Sequence, residues 1–172
     1  MLTGERVLLR PFRPEDVEPL WQSRLDPLTW ARTTEAPLVP ETLEAYRARH
    51  ATRGQDGAAE FAAEAGGTLI GRGGLFHVDP LARHAEVGLA ILPEHQGKGY
   101  GTDVLRVLVD YGFRSRNLRR IHLQTLASNA AALRCYSAVG FVEEGRLREH
   151  AWVEGKYEDI VLMAVLQADW SS

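Results

Sequence analysis

The sequence predicts an α/β fold in which a mixed, mostly antiparallel central sheet of six or seven strands carries helices on both faces, built as one domain over residues 1–172. Three observations predict it. Alternating apolar and polar residues recur through the middle and at the end of the chain, two helical patterns each follow a strand candidate, and glycines crowd at 66, 67, 71, 73, 74, 88, 97, 99 and 101.

Each element follows from its own pattern. Residues 6–12 alternate as a strand, and a helix starts at Arg13-Pro14-Glu15-Asp16 and runs to about Leu25, with Pro14 in its first turn and acids at the positive end of the dipole. Residues 40–53 read as a second helix stopped by Gly54. Strands follow at 58–65, 68–78 and 84–92, the first two joined by a hairpin turn at Gly66-Gly67. Between Gly99 and Arg116 the apolar residues Val104, Leu105, Leu108, Tyr111 and Gly112 share one helical face. A strand at 119–126 leads to a short helix at 129–139, capped by Ser128 or Asn129 and ended by Gly140. Strands at 141–151 and 157–166 close the chain as a hairpin turned at Glu154-Gly155.

Composition removes several classes of function. Lys and Arg number 20 against 23 Asp and Glu, a net charge of -3 that argues against a dedicated nucleic-acid surface. The single Cys135 forbids an internal disulfide, and the six histidines show no paired ligand spacing, so no metal is expected. The longest apolar stretch, residues 160–166, is far short of the roughly 20 residues of a membrane helix, and the first residues lack the apolar core of a signal peptide. A cytoplasmic protein is expected, with no membrane partner.

The segment from Glu86 to Thr102 carries the chemistry. A strand enters a glycine-rich turn that opens a long amphipathic helix, and such a turn gathers backbone N–H groups beside the positive helix end. That arrangement binds phosphate. The spacing is not that of a P-loop or a dinucleotide fingerprint. It matches Q/R-x-x-G-x-G/A at Gln96, Gly99 and Gly101. Taken alone, the motif also fits an ordinary glycine-rich turn before a helix. A second constellation stands one helix and one strand later: Ser128-Asn129, a helix containing Cys135 and Tyr136, then Gly140-Phe141.

Together these stretches resemble the GNAT superfamily of acetyl-CoA-dependent N-acetyltransferases, over nearly the whole chain. The similarity is greatest to the branch holding ribosomal-protein alanine and spermidine acetyltransferases, and Leu25-Asp26-Pro27-Leu28-Thr29-Trp30 departs from the spermidine enzymes. The resemblance implies the GNAT fold and an acyltransferase using acetyl-CoA as cosubstrate without a metal. Backbone amides of Gln96, Gly97, Lys98, Gly99, Tyr100, Gly101 and Thr102 would hold the pyrophosphate, and the main chain of Leu89, Ala90 and Ile91 would pair with pantetheine. Asn129 would contact the same arm. Tyr136 would also touch the cosubstrate and protonate the departing thiolate, and Glu86 would receive the amine's proton.

The acceptor implied is a primary amine: a peptide N-terminus, a polyamine or another small amine. An α-amine with a pKa near 8 costs roughly 1 kcal/mol to deprotonate at pH 7, and an alkyl amine near 10.4 costs roughly 4 to 5. A polyamine therefore asks more of Glu86, or of an acidic pocket to which Glu35, Glu41, Glu143, Glu144 and Glu149 are candidates. His84, His122 and His150 are further candidates for the base. Homodimers are common in the family. The competing reading is a catalytically silent module that keeps the fold and binds acyl-CoA.

Overall fold

The computed structural model describes residues 1–27, 29–30, 39–51 and 57–170. Eight strands form one sheet: β1 (Leu2–Thr3), β2 (Leu8–Arg10), β3 (Ala59–Ala65), β4 (Thr68–Asp79), β5 (His84–Ile91), β6 (Arg120–Leu126), β7 (Val142–Val153) and β8 (Lys156–Leu166). Their spatial order is β1-β2-β3-β4-β5-β6-β8-β7. Every neighbouring pair is antiparallel except β5 and β6. The eighth strand is β1, whose two residues are too few for alternation to register.

Helices accompany the sheet, among them α1 (Val17–Ser23), α2 (Leu43–Ala51), α3 (Tyr100–Arg114) and α4 (Ala130–Val139). The first is shorter than expected because Pro14–Asp16 forms a 3-10 turn ahead of it. The expected end of the second, at Arg53 and Gly54, lies outside the described residues, as do Leu28 and Glu35. Asn129 caps α4, its Oδ1 accepting from the amide of Ala132 at 3.3 Å. Gly140 ends that helix at a left-handed φ of 99°.

The helices divide between the two faces, as alternation along β4 makes clear. Leu69 joins the cluster of Val17, Leu20, Tyr46 and Leu92, whereas its neighbour Ile70 joins the main core with Val104, Leu105 and Leu108. Successive strand residues point to opposite faces, so α1 and α2 lie on one side and α3 and α4 on the other. The hairpin turns at Gly66-Gly67 and Glu154-Gly155 have positive φ at both central residues, the conformation that matches strand twist in a two-residue turn.

A buried ion cluster ties β2, β3 and the turn before α1. The Arg10 guanidinium donates to both Asp16 oxygens, at 2.7 and 2.9 Å, and to Glu64 at 2.6 Å. Burial pushes the Asp16 carboxyl upward, but the bonds from Arg10 and from the Arg13 amide outweigh it and hold the group below its ordinary range. Among the described residues no helix is long and apolar enough to cross a membrane.

Candidate active site

The site is made by a parting of strands. β5 and β6 pair only from His84 with Arg120 to Glu86 with His122. Beyond that point β5 continues against β4 as far as Ile91, and β6 against β8 as far as Leu126. A notch therefore opens between residues 87–91 and 123–126, with unpaired main chain along its β5 wall.

The register says which groups face the notch. The Leu92 amide donates to the Ile70 carbonyl at 2.9 Å while Gly71 stands opposite Ile91. Ile91 is thus a non-hydrogen-bonded position of the antiparallel ladder, so its N–H and C=O turn away from β4, and alternation turns those of Leu89 the same way. Ala90 is the correction here: its main chain faces β4 opposite Arg72, and it offers no donor to pantetheine. Gln96 is a second correction. Its amide closes a turn on the Pro93 carbonyl at 3.2 Å, and its side chain donates to the Ile91 carbonyl at 2.9 Å. Gln96 therefore braces the cradle against β5 and is no free donor in it.

The rest of the turn keeps its donors. Gly97 and Gly99 adopt φ of 73° and 82°, in the region that favours glycine, and a side chain added at Gly97 would meet nothing within 4 Å. Gly99 stands at the N-cap of α3 and has no side chain to cap it, so the amides of Tyr100, Gly101 and Thr102 remain orphan donors at a positive helix end. A Cβ at Gly101 would lie 3.6 Å from Leu89, 3.7 Å from Ile91 and 3.9 Å from Cys135. The first turn of α3, the open edge of β5 and α4 thus converge on one point. The cradle fits a pyrophosphate and the notch fits an amide-bearing arm. Lys98 is exposed at the lip.

Tyr136 reaches the opposite wall. The side chain that acts on its hydroxyl is Thr125, a buried residue on the part of β6 that has left β5. Burial, with a smaller push from Cys135, raises its pKa to about 12 against the downward pull of Thr125. The phenol is therefore a proton holder at any physiological pH. Asn129 also reaches Thr125, Nδ2 to Oγ1 at 3.5 Å. Cys135 is half-buried, accepts from Thr102 at 3.4 Å, and burial pushes its thiol up, which suits packing and not nucleophilic attack.

Glu86 lies at the apex of the notch on the other face. Ala85, Val87 and Leu89 belong to the core beneath α3, so alternation points Glu86 toward the side of α1 and α2. Its Oε2 meets His77 Nδ1 at 2.8 Å. Beside it the His84 and His122 rings touch edge-on at 5.4 Å, and burial lowers the pKa of His122. The two expected proton-handling groups, Glu86 and Tyr136, thus stand on opposite faces of the sheet, with the notch between them. Among the described acidic candidates, Glu41 pairs with Arg49, Glu143 with Arg146 and Glu144 with Arg120. Glu149 lies on β7 with its amide on Asp159.

Sequence reasoning missed Asp103, Arg6, Thr125 and His77. Asp103, buried in the first turn of α3, accepts the amides of Glu5, Arg6 and Val7 at 3.2, 2.7 and 3.1 Å. An acid in a helix's first turn signals only a dipole partner, and nothing local names acceptor and donors 97 residues apart. Thr125 had one available signal, as it alternates onto the same face as Ile121 and Leu123.

The acetyltransferase (GNAT) domain family matches residues 6–142. A spermidine N(1)-acetyltransferase of Vibrio cholerae is 38% identical over 102 residues, 59% of each chain. A putative ribosomal N-acetyltransferase of Bacillus subtilis is 33% identical over 104 residues, 60% of this chain and 57% of that one. The matched stretch thus spans less than two thirds of these relatives' own length. Among solved structures, spermidine N-acetyltransferase from Vibrio cholerae in complex with CoA and spermine superimposes with a TM-score of 0.88 at 28% identity, covering 96% of this chain and 98% of that one. With its splayed strands, glycine cradle and matched family segment, the chain belongs to the GNAT acetyltransferase family.

Proposed function

We propose that the protein is an acetyl-CoA-dependent N-acetyltransferase that moves the acetyl group to a primary amine by direct attack in a ternary complex. Acetyl-CoA supplies the acyl group as a thioester. The observation that carries the reading is the convergence of the α3 amides, the Leu89 and Ile91 edge and the Tyr136 hydroxyl on one notch.

Each residue has a task set by its position. The amides of residues 97–102 bind phosphate, and the open N–H and C=O of Leu89 with the N–H of Ile91 hold the pantetheine amides as an added strand would. An amide on that edge stabilises negative charge developing on the thioester oxygen. Glu86 accepts the proton of the amine from the α1 and α2 face. Tyr136 acts from the other wall. At about 12 its phenol is a weaker acid than a free thiol near 8.5, so it keeps its proton and donates a hydrogen bond as charge grows on sulfur.

The relatives support a polyamine acceptor. A peptide N-terminus is the second reading, favoured because the arginine partners of Glu41, Glu143 and Glu144 neutralise acids that an acidic pocket would need. The test is release of free thiol from acetyl-CoA with spermidine, with an alanine-starting peptide and with no amine. Release that depends on the amine is the expected result. Silence with every amine, with CoA still bound, would make the protein an acyl-CoA-binding module.

A further inference from the structure

The N-terminal segment is fastened to the first turn of α3, beside the cradle. The Asp103 carboxylate takes the amides of Glu5, Arg6 and Val7, and the chain passes so close that a Cβ at Gly4 would stand 2.6 Å from Asp103 Oδ1. This anchoring directs Arg6 over the start of α3. Its Nη1 donates to the Lys98 carbonyl at 2.7 Å, the same nitrogen lies 3.3 Å from where a Cβ of Gly99 would be, and its guanidinium carbon sits 4.8 Å from the centre of the Tyr100 ring.

Three arginines of the sheet contrast with it. Arg10, Arg72 and Arg120 each hold a carboxylate. Arg6 has no carboxylate within ion-pair distance among the described residues, and its Nε and Nη2 donate to no described protein atom. A cation at the positive end of a helix is opposed by the helix dipole, and an anion bound beside Gly99 would offset that opposition. Planar guanidinium donors suit phosphate oxygens better than a flexible ammonium does.

We propose that Arg6 is a phosphate-binding residue of the cosubstrate site, held by Asp103 so that its open donors meet a phosphate of CoA beside the Gly99 cradle. The inference rests on the reading of the notch as a CoA site. CoA offers two sources of that chemistry, its pyrophosphate and its 3′-phosphate, and ligands lacking one or both distinguish them.

The experiment is calorimetric titration of CoA and dephospho-CoA, with pantetheine measured by displacement at millimolar concentration, into the wild-type chain, Arg6→Gln and Arg6→Lys. For Arg6→Gln, about a 10-fold loss of affinity for phosphate-bearing ligands is expected, the scale of one charge-assisted contact, with pantetheine unchanged. A loss for both CoA and dephospho-CoA identifies the pyrophosphate, and a loss for CoA alone identifies the 3′-phosphate. Arg6→Lys, which keeps the charge without the fork, should lose less, and it carries the test if Arg6→Gln does not fold. An equal loss for pantetheine, or no loss for either phosphate ligand, would overturn the proposal. Failure of the wild-type chain to bind CoA would overturn the site reading itself.

Discussion

The Glu86 Oε2 atom lies 2.8 Å from Nδ1 of His77, a residue at a left-handed φ of 48° where β4 bulges between Phe76 and Asp79. A carboxylate can only accept, so the ionised pair places the proton on Nδ1 and leaves Nε2 of an exposed ring facing solvent. Glu86 is thereby connected to water through an exposed imidazole. Glu86→Gln is expected to lower kcat/KM about 100-fold with spermidine, and less with a peptide α-amine, which needs less help to deprotonate. His77→Asn, a change that tolerates the left-handed backbone, should cost only a few-fold and add little to Glu86→Gln in the double variant. Steady-state rates with both amines check this, and an equal loss for both would assign Glu86 a purely structural role.

Tyr136→Phe should lower kcat about 100-fold while the affinity for CoA changes less than about 2-fold. Because the phenol is pushed up to about 12, no fall in rate between pH 8 and 10 should trace to its ionisation. The same raised value has a stability consequence. Its contribution is fully present below the unfolded pKa of about 10 and is lost as pH rises through the folded value, so the Phe variant should escape part of the alkaline unfolding. Rate and denaturation profiles of both proteins test the two statements, and an unchanged kcat would remove Tyr136 from the chemistry.

The cradle glycines separate strain from ligand contact. Gly97→Ala places a methyl group in open space at a φ of 73°, at a cost of about 1–2 kcal/mol of backbone strain, with CoA binding kept. Gly99→Glu adds to similar strain a carboxylate beside Arg6 and the phosphate site, and should reduce CoA affinity more than about 100-fold. Thermal denaturation and CoA titration of the two variants decide it: equal binding by both would sink the phosphate-cradle assignment.

Much of this site was legible in the chain, and its limits are physical. The helix from Gly99, the Asn129 cap, the two-residue turns and the place of Tyr136 depend on contacts within a few residues, which periodicity and turn chemistry report. The resemblance implied an open edge at residues 89–91, but the point where the strands part was not visible, because it is set by where β5 and β6 end their shared register at Glu86 and His122. The main-chain direction of Ala90 was hidden for a related reason: alternation fixes which side chains share a face, but the direction of a backbone N–H depends on the partner strand, whereas the Gln96 amide is taken by a local turn on Pro93. The Asp103 and Arg6 contacts join segments far apart in sequence, and no local pattern carries them.

The buried Arg10–Asp16 pair should govern acid stability. With its folded pKa held below the unfolded value of about 3.9, Asp16 contributes stability that is present above that pH and lost as pH falls through the folded value. Asp16→Asn leaves Arg10 with Glu64 as its remaining carboxylate and should cost about 3 kcal/mol at pH 7. Urea titrations at pH 7 and pH 3 should find the gap between wild type and variant narrowing in acid. A gap that stays constant would place the pH dependence elsewhere.

The central claim is that CoA lies with its phosphates on the first turn of α3 and its pantetheine arm along the open edge of β5. Amide chemical-shift mapping by nuclear magnetic resonance during a CoA titration tests it most directly. The largest shifts are predicted at Leu89, Ile91 and residues 97–102, with Ala90 and Gln96 moving less than their neighbours. Saturable binding whose largest shifts fall elsewhere, with the α3 amides and the β5 edge unmoved, would contradict the account.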